Sequence, residues 1–444
     1  MNKSHFARTL LFFTFLFVSV NAASAAHCTI TKTADTNDGA CAAGDCSLRE
    51  AVAEPSCATI GFSLDLAGRT VGLTFGEIVI GRTVSITGYG AEALNISGNS
   101  ISRIFSITTS GSLTLGGVKL TGGNGAGTGD GGAIRALGAL NLNAVELTQN
   151  TACPICRGSA IAMGSPAPLS VIRDSTIHDN VADPAVPAVS TDSGNLLVFY
   201  SSTIANNPGP GIFAIVSPVK VVQSTIASNG AGVILAGLGV LTVADSVVMD
   251  VCRCHNLSQF SSEGYNLVRS TSASFPLSYQ QSDMVEADPM LGPLGYNGRH
   301  TPTIAPFAGS PLVDGGSNGI AASYSLTTDQ RGYARIFDGN GNGKATVDIG
   351  ALEFNAPAPA AVTVSGRILG AVSGNPLRSQ TVTITDMLGN TRTALSSSFG
   401  WFVFDNLPGG FVYRVSVKAR RGAVEKNILA DQSLSDTDIV IPGL

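Results

Sequence analysis

STIHDN at 175–180, STIANN at 202–207 and STIASN at 224–229 are three copies of one phrase, ending at Asn180, Asn207 and Asn229. Two looser copies precede them, VKLTGGN ending at Asn124 and VELTQN ending at Asn150, so the Asn-to-Asn spacings are 26, 30, 27 and 22 residues. Upstream of the copies stand alternating apolar pairs: Leu113/Leu115, Leu140/Leu142, Leu197/Phe199 and Val219/Val221. A sixth copy carries Leu241/Val243 before SVVMD (246–250), where the Asn is missing. The copy from Leu169 to Asn180 reads one residue out of step, as a bulge or a single insertion would make it. After each Asn comes a small-residue turn and another apolar stretch, as in GGAI (131–134), GSAI (158–161), PAV (187–189), GIF (211–213) and GVI (232–234).

One period therefore holds about three short strands, which is one coil of a parallel β-helix. Inward Leu, Val and Ile alternate with outward Ser, Thr and Asn at the strand period of two. The recurrent Asn suits a tight turn, where it tolerates the left-handed conformation and can bond through its amide to the Asn stacked above. Unrelated hairpins of a β-sandwich would share no register across six copies. If residues 58–325 continue at about 25 per coil, the cylinder has about ten coils and a length of about 50 Å.

The composition agrees. Only 13% of the 444 residues are charged and 52 are glycine, against about 25% and about 7% in an average soluble domain. A 44% hydrophobic share is too high for a disordered chain, and a helical repeat array would need the missing Glu, Lys and Arg. Residues 1–25 read as an export signal, with Lys3 and Arg8 before an apolar Leu10–Val20 and a small Ala23-Ser24-Ala25 cleavage region. His27 stands where lipidation at Cys28 would need a small residue. No later apolar run reaches the ~18 residues of a membrane span, so the product is expected to be secreted or at the cell surface, of a bacterium. Losing the two leader cations leaves an acidic chain without basic clusters, a poor nucleic-acid binder. Cys28, Cys41, Cys46, Cys57, Cys153, Cys156, Cys252 and Cys254 read as disulfides of an exported protein, with the pairing open. A redox CPIC (153–156) and a zinc site between the two later pairs are the alternatives.

Ser47-Leu48-Arg49-Glu50 is a capping box opening a short helix with apolar Leu48, Ala51 and Val52, suited to cover the N-terminal end of the cylinder. The same stretch, CSLREA at 46–51 within TADTNDGACAAGDCSLREAV, resembles the CSLREA N-terminal region of exported bacterial repeat proteins, which implies a right-handed parallel β-helix after it. DPMLGPL (288–294), TPT (301–303), GSPLVDGG (309–316), TDQRG (328–332) and VDIGALEF (347–354) are similar to the choice-of-anchor Q domain. No hydrophobic tail with a basic end follows here, so the resemblance implies no particular anchor, and neither family implies a catalytic activity. VTVSGRIL (362–369), TVTITD (381–386), SFGWFVFDNLPGG (398–410) and FVYRVSVKA (411–419) resemble the carboxypeptidase regulatory-like fold, a small transthyretin-like β-sandwich, with Trp401 expected in its core. The organisation is thus a signal (1–25), a cap (26–57), a β-helix (58–287), its choice-of-anchor Q-like end (288–354), a Pro/Ala linker (355–361) and a sandwich (362–444).

Asp338-Gly339-Asn340-Gly341-Asn342-Gly343 sets oxygen side chains at positions 1, 3 and 5 and Gly at 6, as a calcium loop begins. Position 12 is Ile349, so this is no EF-hand, and Asp348 or Glu353 would have to close the shell. Asp338, Asn340, Asn342 and Asp348 are the expected ligands of a structural Ca2+, a Gly/Asn-rich solvent loop being the plain alternative. For acid–base chemistry on an acidic polysaccharide the repeats offer Arg173, Asp174, His178 and Asp179 in one coil, with Lys220 about two coils on. Asp174, His178 and Asp179 stand where other copies have Ala, Ser, Asn or Gln, as on a solvated outer face. The expectation is therefore a non-catalytic, exported β-helix protein binding an extracellular glycan or cell-envelope component. A polysaccharide lyase or hydrolase and a structural spacer are the alternatives.

Overall fold

A computed structural model describes residues 26–441, apart from 40, 128, 165–168, 182–184, 193, 272–276, 299, 359–360, 387–389, 410, 420–421 and 431–432. The expected export signal lies outside the described residues. The fold is all-β, with 45% strand and 4% helix, and is dominated by long parallel sheets. Three ladders carry it. The first holds ten strands among the described residues, from Ala26–Ile30 to Gln259–Ser262. The second runs from Arg69–Gly72 through the Thr-Ile strands Thr176–His178, Thr203–Ala205 and Thr225–Ala227 to Met284–Val285. The third runs from Ile78–Ile80 to the far half of Val247–Arg253.

Each ladder turns apolar columns inward. Leu115, Leu142, Ile172, Phe199, Val221 and Val243 stack in the first, and Leu120, Leu147, Ile177, Ile204, Ile226 and Val248 in the second. Phe105, Ile134, Ile161, Val189, Ile212, Val233 and Val251 stack in the third. All are buried and meet in one core. At about 1.5–3 kcal/mol per fully buried large aliphatic side chain, these columns are the main cohesive force of the stack.

The turns are held by side-chain ladders. Asn150 Nδ2 donates to Asn180 Oδ1 (3.0 Å), Asn180 Nδ2 to Asn207 Oδ1 (3.1 Å), and Asn207 Nδ2 to Asn229 Oδ1 (2.9 Å). Each Oδ1 also accepts the backbone N–H of the Asn one coil back. At the preceding turn Ser175, Ser202, Ser224 and Ser246 stack in the same way, each Oγ accepting an amide of the coil before. Two details differ from the sequence expectation. The left-handed residue is not the Asn but the one before it, namely Gln149, Asp179, Asn206 and Ser228. The left-handed residue turns the chain, while the amide of the Asn that follows reaches along the stack. Asn124 lies off the ladder, since it is the Gly123 amide that donates to Asn150 Oδ1 (2.9 Å).

The coil that reads out of step is in register. Val171, Ile172 and Arg173 pair with Asn141, Leu142 and Asn143. Ser170 takes the inward place, with its hydroxyl accepting from the Leu140 amide (3.2 Å), and Leu169 is left exposed. No bulge is needed. The ten rungs also begin earlier than expected, at residue 26 and not 58, and end near 262.

The helix Leu48–Ala53 is closed by the Ser47/Glu50 capping box and buries Leu48, Ala51 and Val52 on the core. Cys28 and Cys57 stand at disulfide distance, as do Cys41 and Cys46, Cys153 and Cys156, and Cys252 and Cys254, with Cα–Cα separations of 5.4, 4.4, 5.0 and 5.3 Å. The two later pairs each close on themselves, so they do not meet to hold zinc. Beyond 361, Val362–Gly370, Trp401–Leu407 and Ile439–Ile441 form one sheet, and Thr381–Asp386, Thr391–Leu395, Phe411–Ala419 and Gly422–Ala430 another. Val364, Ile368, Val382, Ile384, Phe402, Phe404, Val415 and Val417 fill the space between them. Trp401 is not in this core. It faces outward, 42% exposed, with the Arg367 guanidinium 5.3 Å from its ring centre.

Asn180→Ala removes an amide that serves two neighbouring coils. It is expected to cost about 2–4 kcal/mol, because several buried backbone groups lose partners worth about 1–3 kcal/mol each. Asn124→Ala, off the ladder, is expected to cost less than about 1 kcal/mol. Denaturant unfolding of the two variants checks this, and equal costs would refute the ladder as the source.

Candidate functional site

Residues 288–354 add no further rungs among the described residues. They contribute an antiparallel pair, Leu291–Gly295 with Thr303–Pro306, and the short helix Asn318–Ser323. They lie back along the flank of the second ladder. Its outward column there is Thr176, Thr203 and Thr225, in register and buried. Gln330 sits against this column. Its Nε2 donates to Thr176 Oγ1 (2.7 Å) and Thr301 Oγ1 (2.9 Å), and its Oε1 accepts from Thr203 Oγ1 (2.6 Å). The Ala351 amide donates to Thr225 Oγ1 (3.0 Å). The Thr of the STI phrase is therefore a docking strip for a covering segment and not a solvated face.

One step toward the N-terminus the same column carries charge. Lys119, Glu146 and Thr176 are in register, with His178 two residues along its strand. Glu146, 2% exposed, accepts from Tyr296 OH through Oε2 (2.5 Å), while its Oε1 lies 3.0 Å from Lys119 Nζ and 3.1 Å from His178 Nε2. His178 Nδ1 is 2.7 Å from Asp179. Burial alone would push Glu146 up, but His178, Lys119 and Tyr296 hold it below the ordinary 4.5. Burial alone would pull His178 down, but Glu146 and Asp179 carry it above the ordinary 6.5. Burial and the Glu146 charge raise Tyr296. The His178 ring between two carboxylates and the Tyr296 phenol on Glu146 make a brace that pins the covering segment.

The four candidate catalytic residues do not converge. Arg173 lies over the Tyr200 ring (4.7 Å), while His178 and Asp179 belong to the brace. Asp174 sits in a left-handed turn at the other end of the Thr176–His178 strand. Burial pushes its carboxyl up to about 7, Arg173 opposing and Asp329 adding. Lys220 is paired with Glu263 (2.7 Å) and lies over Tyr324 (4.6 Å). The reading of Asp174, His178 and Asp179 as a solvated face fails for His178, which is buried under the covering segment. The sequence does not single out Lys119 and Glu146, because their meeting with His178 depends on coil register and that of Glu146 with Tyr296 on a segment 150 residues away in sequence.

The DGNGNG loop spends its side-chain oxygens on its own backbone. Asp338 accepts from the amides of Asn342 and Gly343, Asn340 from Asn342, and Asn342 from Lys344. Asp348 is not gathered with them but with Asp314 and Glu353, whose carboxylate oxygens lie within 4.8 Å of one another. Burial pushes Asp348 up to about 6 and Glu353 up to about 9. Asp314 belongs to GSPLVDGG, 34 residues before Asp348, so only folding brings it in. Hard oxygen donors of this kind suit a divalent cation such as Ca2+.

A cavity of about 130 Å³ separates the covering segment from the C-terminal sheets, lined among others by Glu92, Tyr296, His300, Phe411 and Tyr413. His300 bridges it, 3.6 Å from Glu92 and stacked on Phe411 at 6.2 Å between ring centres. No family model matches the chain and no curated protein matches it.

The brace has a pH window. His178, raised in the folded state, contributes fully below 6.5 and loses its contribution as pH climbs through the raised value. Glu146, lowered, contributes fully above 4.5 and loses its contribution as pH falls through the lowered value. The difference in unfolding midpoint between wild type and His178→Gln is expected to be greatest between these limits and to shrink above neutral pH. A difference independent of pH would contradict the charged brace.

Proposed function

We propose that the chain is an exported, non-catalytic recognition scaffold of the cell envelope that binds an extracellular glycan. Its ladders are read as a closed right-handed β-helix, and its last two sheets as a transthyretin-like sandwich. Residues 46–51 and 288–354 play the parts that the CSLREA and choice-of-anchor Q resemblances imply. Four cysteine pairs at disulfide distance fit an oxidising destination. No helix among the described residues is long and apolar enough to cross a membrane.

The observation that carries the reading is the outward column of the first ladder. Thr59, Ser85, Thr114, Asn141 and Val171 follow one another in register, and beyond the buried Val198 come Lys220, Thr242 and Ser261. Unlike the Thr column of the second ladder, these positions keep exposure. Hydroxyl and amide groups repeating at about 4.8 Å offer both donors and acceptors to an extended, hydroxyl-rich polymer. Of the ionisable groups near the repeats, Lys119, Glu146, His178, Asp179 and Lys220 are committed to pairs, which leaves few for acid–base chemistry.

A polysaccharide array probed with the full chain is expected to show binding that Asn141→Arg weakens, with no product released. Release of unsaturated or newly reducing ends, abolished by Arg173→Ala or His178→Ala, would make the protein a lyase or hydrolase. Binding to no glycan would make it a spacer.

A further inference from the structure

Asp348 and Glu353 are wholly buried and Asp314 partly so. Five backbone amides orient their carboxylates. The Asp314 amide donates to Asp348 Oδ1 (2.6 Å), that of Phe354 to Asp348 Oδ2 (2.5 Å) and that of Asp348 to Glu353 Oε2 (3.0 Å). The amides of Gly339 and Asn340 donate to the two oxygens of Asp314 (3.2 and 2.9 Å). Glu353 Oε1 is buried and has no hydrogen-bond partner. No Lys, Arg or His lies within ion-pair distance of any of the three among the described residues. Arg335, nearby, directs its Nε to Gln223 Oε1 (3.1 Å) and its Nη2 to the carbonyls of Asp348 (3.3 Å) and Gly350.

Three acids share this small space with only the Arg335 guanidinium near, beyond ion-pair distance, and Glu353 Oε1 is left without a partner. We infer that Asp314, Asp348 and Glu353 form a calcium site, with the DGNGNG loop as its wall and not its ligand set. Amide bonds to one lone pair of an oxygen leave the other free for a metal. One oxygen from each, within 4.8 Å of one another, can meet a single ion near the 2.3–2.6 Å of calcium coordination with at most a few tenths of an ångström of side-chain adjustment. Gly339 forms the wall, for a Cβ there would stand 3.0 Å from the Phe354 carbonyl and 3.8 Å from Asp348 Oδ1. Asp314 is the exposed side through which the ion arrives.

The site has a mechanical consequence. Gly350 and Ala351, between the two buried acids in sequence, donate to Asp245 O and Thr225 Oγ1 of the second-ladder flank. An ion on Asp348 and Glu353 therefore fastens the end of the covering segment where it meets the coils.

Calcium titrated into the chelator-treated full chain is expected to give one-site heat and to raise the unfolding midpoint by about 3 °C once calcium is about a hundredfold above Kd. Glu353→Gln and Asp314→Asn are each expected to weaken binding at least about tenfold and to remove the midpoint shift, while Asp338→Asn stays within about threefold of wild type. Asp314→Asn, at the partly exposed position, keeps the comparison open should Glu353→Gln fold poorly. Absence of heat and of any shift up to about 10 mM calcium would overturn the inference. So would loss of binding in Asp338→Asn with wild-type affinity in Glu353→Gln.

Discussion

The structure depends on how its turns satisfy their own backbone. A coil that reverses direction twice or more within some 25 residues leaves amides that cannot join the strand ladders, and a buried amide without a partner costs about as much as a lost hydrogen bond. The stacked Asn and Ser side chains supply those partners, each serving the coil before it. Because every bond runs to the equivalent residue one coil away, the ladders forbid a slip in register. That constraint assigns each side chain to a column, inward or outward, and so decides which residues can meet.

Charge is governed by the same geometry. Like charges in one column would repeat at about 4.8 Å and repel, which gives a physical reason for the low charged fraction. Where charge does enter the second ladder it alternates, Lys119 beside Glu146 with His178 closing the group. The covering segment then turns a polar column into an interior. Gln330, Tyr296 and the Ala351 amide occupy groups that would otherwise face water. The first ladder keeps most of its outward residues accessible, and the proposed glycan recognition is placed there for that reason.

The repeat, the inward columns, the stacked Asn and the capped helix at Ser47 are legible in the sequence because each is local or periodic. The one-residue ambiguities at Asn124 and Leu169 resolve only through pairing, where Gly123 and Ser170 hold the column positions. What the sequence hides is which outward column is covered. Nothing in STI distinguishes a solvated Thr from one bonded to Gln330 more than a hundred residues away. Asp314 is hidden for the same reason, since the loop motif points to Asp338 while the acids that meet lie in two separate phrases. Trp401 misled in the opposite direction: an alternating strand has two faces, and Phe402 and Phe404 hold the inner one.

Register-locked turns and a docked covering segment make one continuous body of the described residues between 26 and 354. Hydrogen exchange of the full chain tests it most directly. The account predicts that the amides of Asn150, Asn180, Asn207, Ser202, Ser224 and Ala351 are protected together, all opening only with the global unfolding of the coils. Rapid exchange at Ala351, or at alternate rungs of the Asn ladder, while the inward strands stay protected would contradict it.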